Sequence, residues 1–95
     1  MPKDIDDKFY ERADAHIHLS NEQIADVGRG KASASMMYAA ARFNAWVSAC
    51  RFSTTDELAA AREEEIEYFV DQYRVMLEEN FDDYVANFSK YMTAD

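Results

Sequence analysis

Ser33 through Phe52 reads as a helix that is apolar almost all the way round, and it contains no acid in a chain that is otherwise rich in them. Met36, Ala40, Phe43, Val47 and Cys50 recur at helical spacing as one stripe, widened by Ala39 and Trp46. Nearly opposite lies a second surface of Tyr38, Ala41, Ala45, Ala49 and Phe52, small residues bracketed by two aromatics. Polar groups are confined to a wedge of Asn44, Ser48 and Arg51, with Arg42 alone on the other side. A helix of this kind is either the centre of its own bundle or shared with another chain. The Tyr38 to Phe52 surface is therefore the expected interface of a homo-oligomer, with a dimer favoured.

At 95 residues and 11.0 kDa the chain is expected to be a single helical domain over 1–95, modest in stability at about 5–14 kcal/mol. Two glycines and one proline leave little material for hairpin turns, while Ala, Glu, Met, Leu and Arg recur throughout. One cysteine, Cys50, cannot form an intramolecular disulfide, which suits a reducing cytoplasm. No basic start with an apolar run marks a signal peptide, and Arg42 interrupts the longest apolar stretch well short of the ~20 residues a membrane span requires. A soluble cytoplasmic protein without membrane contact is the expectation.

Charge is unevenly distributed. Met1 to Asp26 carries −4, Val27 to Thr55 carries +4 with no acid, and Asp56 to Asp95 carries −9. Nucleic acid is excluded as a partner on this basis, because phosphate binding needs a concentrated basic face and Arg29, Lys31, Arg42 and Arg51 are spread through an apolar segment. A basic middle helix between acidic neighbours is the simpler reading.

The periodicity predicts an all-α antiparallel bundle of three main helices plus a short C-terminal helix, over about 4–27, 33–52, 55–79 and 82–92. Asp4 or Asp6 suits the first N-terminus, and Ile5, Phe9, Ala13, Ile17, Ile24 and Val27 form its stripe. Gly28 offers a left-handed helix end, Arg29-Gly30 a short connection and Ser33 or Ser35 a cap. Thr54-Thr55-Asp56-Glu57 is a capping-box pattern. The third helix then turns Leu58, Ile66, Phe69, Val70, Tyr73 and Leu77 inward and Glu63, Glu64, Glu67, Asp71 and Glu78 outward. Near Asn80 the stripe slips by one position, which predicts a break or kink before a short fourth helix, with one continuous helix as the rival reading. The expected core includes Ile17, Phe43, Trp46, Val47, Phe69 and Tyr73.

Chemistry is hard to find. No nucleophile stands beside a base, no glycine-rich loop offers a phosphate cradle, and no ligand set has metal spacing, so no catalytic residue is assigned. Asp7, Glu11, Asp14 and His18 recur at steps of four, three and four along one helix face and are the weak candidates for a metal. They lie away from the apolar stripe, as a solvated face would, and no Glu-x-x-His of the kind used in helical di-iron bundles occurs. No metal and no cofactor are therefore expected. His16, at the stripe's edge, reads as a half-buried hydrogen-bonding residue, and Cys50 as an inert buried thiol. The aromatics Tyr68, Phe69, Tyr73, Phe81, Tyr84, Phe88 and Tyr91 could line a pocket for a flat ligand, but helical spacing assigns them first to a core.

Four segments carry a resemblance. Ile5-Asp6-Asp7-Lys8-Phe9-Tyr10-Glu11-Arg12-Ala13-Asp14-Ala15-His16-Ile17, Ser35-Met36-Met37-Tyr38, Arg42-Phe43-Asn44-Ala45-Trp46 and Met76-Leu77-Glu78-Glu79-Asn80-Phe81 resemble a proteobacterial family of small helical proteins catalogued only as a domain of unknown function. The resemblance implies a bacterial, helical protein and brings no activity, ligand or catalytic residue. From the residues alone the reading is a self-associating helical module, more naturally non-enzymatic, with another protein as a possible partner. A small-molecule-binding or metal-binding bundle, with or without enzymatic activity, is the alternative.

Overall fold

The computed structural model of the chain describes residues 4–92. It contains four helices: α1 (Phe9–Val27), α2 (Arg29–Ala49), α3 (Thr55–Ala86) and α4 (Phe88–Met92). The chain is thus all-α, with three long helices and a short C-terminal one, as the near absence of glycine and proline requires. It divides into two compact units, one through Ala45 and one from Trp46 onward.

In the first unit α1 starts later than the acidic cluster suggests. Asp6 does not act as the side-chain cap; its carboxylate accepts from the Lys8 amide at 3.2 Å and from Arg12 Nη2 at 3.0 Å. The oxygen that would have capped the helix instead closes a turn before it, and Lys8 becomes a cap without a side-chain bond. At the other end Gly28 has φ +92° and ψ 166°, positive as expected but extended in ψ rather than left-handed helical. Its amide donates to Ile24 O at 2.9 Å, ending α1, while its carbonyl accepts from the Ala32 amide at 3.2 Å, opening α2. One residue thus does the work expected of Gly28-Arg29-Gly30. Gly30, Ser33 and Ser35 all lie inside α2, so neither serine is its cap. α1 has no buried residue, and Phe9, Ala13 and Ser20 are its only half-buried positions.

In the second unit α2 ends at Ala49, short of Phe52, because the chain tightens: Arg51 and Phe52 donate their amides three residues back, to Ser48 O and Ala49 O. Thr54 then caps α3, its hydroxyl accepting from the Glu57 amide at 3.1 Å. Glu57 reciprocates by accepting from the Ser53 amide at 2.8 Å, one residue earlier than the standard box.

α3 runs without a break through Asn80, at 32 residues about 48 Å long, and the expected end at 79 is not there. The physical reason is twofold. Asn80 donates its side-chain amide to Met76 O at 2.8 Å, joining the helix's own acceptors instead of capping a new one. The slip at Leu77, Phe81 and Val85 is a pair of consecutive four-residue steps, which a continuous helix absorbs by local unwinding of its stripe. The interruption comes at Asn87, whose side chain donates to both the backbone oxygen and the carboxylate of Asp83, at 3.1 and 2.8 Å.

Burial is sparse. Among the described residues only Ala32 and Ser48 are buried. Of the six expected core residues Phe69 is half-buried, whereas Ile17, Phe43, Trp46, Val47 and Tyr73 are exposed, Phe43 at 61% and Trp46 at 60%.

Candidate interaction surface

Ser48 anchors the second unit. It is buried to 4% exposure, and its hydroxyl donates to Glu65 Oε1 at 2.6 Å. Arg51 grips the same carboxylate with both arms, Nη1 to Oε1 at 2.7 Å and Nη2 to Oε2 at 3.1 Å, the planar pairing that suits guanidinium to carboxylate. The hydrogen bond from Arg51, then that from Ser48, hold the Glu65 carboxyl below its usual range, and Glu65 in turn pushes Arg51 up. Two of the three wedge residues of α2 are thus satisfied by an acid of their own chain.

Glu65 belongs to a half-buried line on α3 comprising Leu58, Ala61, Glu65, Phe69 and Gln72. That line is not the most apolar one. Ile66, Val70, Tyr73, Leu77, Phe81 and Tyr84 follow at steps of four, three, four, four and three, and all are exposed. At about 100° per residue this second line sits roughly 120° around the helix from the first and is about 27 Å long. Expected inward residues therefore split: Leu58 and Phe69 lie on the half-buried line, whereas Ile66, Val70, Tyr73 and Leu77 lie on the exposed one. A dimple lined by Leu77, Asn80, Phe81 and Tyr84 interrupts the exposed stripe. All four lie within two turns of a single helix, so the dimple is a seat for a side chain rather than an enclosure for a ligand. At the stripe's end Tyr91 donates its hydroxyl to Asp83 Oδ2 at 3.0 Å and stacks edge-on with Tyr84, and the bond to Asp83 pushes the phenol up.

On α2, Tyr38, Ala41 and Ala45 are exposed and Ala49 is half-buried, as is Phe52 in the turn beyond it. Arg42 lies over the Tyr38 ring at 5.0 Å, leaving a basic group beside the alanines. Arg51 likewise covers Phe52 at 5.1 Å. Alanine side chains make this face shallow, whereas the α3 stripe is built of large ones.

The other candidates do not assemble. Asp7, Glu11, Asp14 and His18 are not brought together, and among the described residues no three His, Cys, Asp or Glu side chains are grouped to hold a metal. His18 instead lies 3.4 Å from Glu22, one turn on. His16 is exposed rather than half-buried, because the face of α1 that carries it is uncovered. Cys50 is exposed too, since it falls in the turn after α2 and not in the helical stripe. Sequence reasoning missed Glu65, which it grouped with no site. The clue was a lone wedge of Ser48 and Arg51 facing an acid-rich helix.

Among the described residues no helix is long and apolar enough to cross a membrane. No curated protein matches the chain. Among solved structures it is similar to the NMR structure of the protein NB7890A from Shewanella sp, at 36% identity and a TM-score of 0.78, over 96% of this chain and 97% of that one. A family described as a protein of unknown function, DUF3144, matches residues 9–85. The matched span takes in α1, α2 and nearly all of α3: this all-helical chain belongs to the DUF3144 family of unknown function.

Proposed function

We propose that the protein is a non-enzymatic helical module that works by self-association, as a homodimer, in the bacterial cytoplasm. The observation that carries this reading is the pattern of exposure: apolar side chains at helical spacing face outward on α2 and α3 while only Ala32 and Ser48 are buried. Folding at this size depends on removing such side chains from water, at about 25 cal/mol per Å², and a second copy is the economical way to do so. The residues assigned to the contact are Tyr38, Ala41, Ala45, Ala49 and Phe52, of which the first three are exposed. The relative from Shewanella supports a bacterial setting, and a single cysteine suits a reducing compartment.

Size exclusion with light scattering tests it. The expected mass is at least twice 11.0 kDa, and Ala45→Glu should shift it toward one chain by placing an unpaired charge in an apolar contact. A wild type that stays monomeric at high micromolar concentration overturns self-association.

A further inference from the structure

Two exposed faces of opposite character lie on different helices of this chain. We infer that they meet each other across the dimer: the Tyr38, Ala41 and Ala45 face of α2 in one copy seats the exposed aromatic stripe of α3 in the other, and the same contact is repeated by symmetry. This inference rests on the self-association proposed above and specifies which surfaces join.

Charge selects the pairing. α3 carries eleven acids against two bases, and α1 four acids against one base. α2 carries Arg29, Lys31 and Arg42 with no acid, so it alone of the three long helices is positive. A dimer closed by α3 against α3 would align two strongly negative helices along about 27 Å, and one closed by α2 against α2 would bring the basic helices together. Like charges so placed repel, whereas α2 against the partner's α3 sets opposite signs side by side.

Side-chain volume selects the same pairing independently. The α3 stripe projects Tyr73, Phe81 and Tyr84, which need depth, and α2 offers alanines, which supply it. Large residues facing small ones interdigitate; large against large holds backbones apart, and small against small leaves little to bury. The geometry of α3 agrees. Its half-buried line is engaged by its own chain through Glu65, and the stripe turned roughly 120° away is left exposed.

Complementation between two variants decides the matter. Ala45→Glu damages the α2 face and Phe81→Glu the α3 stripe, both at exposed positions where the helix itself should persist, which circular dichroism checks. Each variant alone carries both of its contacts damaged and should dimerise roughly tenfold or more weakly than wild type. Mixed, the two form a heterodimer in which one contact is wholly intact and both lesions fall in the other, so association should recover in the mixture. Pairing of like faces gives a different pattern: with α2 against α2, Phe81→Glu alone dimerises like wild type, and with α3 against α3, Ala45→Glu alone does; either result would overturn the inference while leaving a dimeric wild type in place. A monomeric wild type overturns both readings. As a second readout at one position, Ala45→Lys should dimerise better than Ala45→Glu because the facing helix is acidic; equal or reversed ranking would also overturn it.

Discussion

Gly28 holds a backbone conformation, φ +92° with ψ 166°, that residues bearing a Cβ rarely adopt, and no atom crowds the position. Any cost of substitution there is therefore backbone strain, of order 1–3 kcal/mol. Gly30, the second residue of α2, is equally open but helical, so it only adds entropy to the unfolded chain. Gly28→Ala should lower the melting temperature and Gly30→Ala should raise it slightly; two alanines acting with the same sign would refute the one-residue junction. Glu65 makes a second residue-scale test. Its carboxyl is held below the ordinary range by Arg51 and Ser48, so its contribution is present above the unfolded value of about 4.3 and disappears as pH falls through the lower folded value. Glu65→Gln should therefore melt well below wild type near neutrality, with the gap closing as the pH drops below about 4. A gap that is constant with pH would mean that the ion pair adds nothing to folding.

At the scale of elements, the continuity of α3 through Asn80 is the point on which the sequence reading and the structure part. Proline at the start of a separate fourth helix would be tolerated, but in the middle of a continuous one it removes an amide bond and clashes with the preceding turn, at about 3 kcal/mol or more. Asn80→Pro should thus reduce helix content and melting temperature sharply, and a wild-type-like spectrum would restore the break. Helix existence was legible because periodicity, Thr54 and the scarcity of glycine all point one way. Helix ends were not, since Asp6 and Asn80 each had two possible acceptors or donors within reach and only the folded geometry chooses between them. The same holds for the candidate surface. Tyr38, Ala41 and Ala45 stood out by their apolar setting, whereas the exposed line from Ile66 to Tyr84 looked like core, because hydrophobic spacing says that a face is covered without saying whether its own chain covers it.

At the scale of the whole molecule, the net charge of −9 and the exposed apolar stripes pull in opposite directions on association. Repulsion between two acidic chains falls with added salt, but so does attraction between a basic α2 and an acidic α3, so ionic strength alone separates them poorly. Protein concentration does better. If the apolar faces are covered by a second copy, that copy binds the folded chain and not the unfolded one, and by mass action stability must grow with concentration, by about 1.4 kcal/mol for each tenfold increase in a two-state dimer. The melting temperature should therefore climb steadily from low to high micromolar protein. Ala45→Glu should flatten that climb as well as lower it, because the variant has lost the contact through which concentration acts. A wild-type melting temperature independent of concentration would assign the stability to the single chain, and Ala45→Glu would then be expected to do no more than a charge on an exposed helix position does.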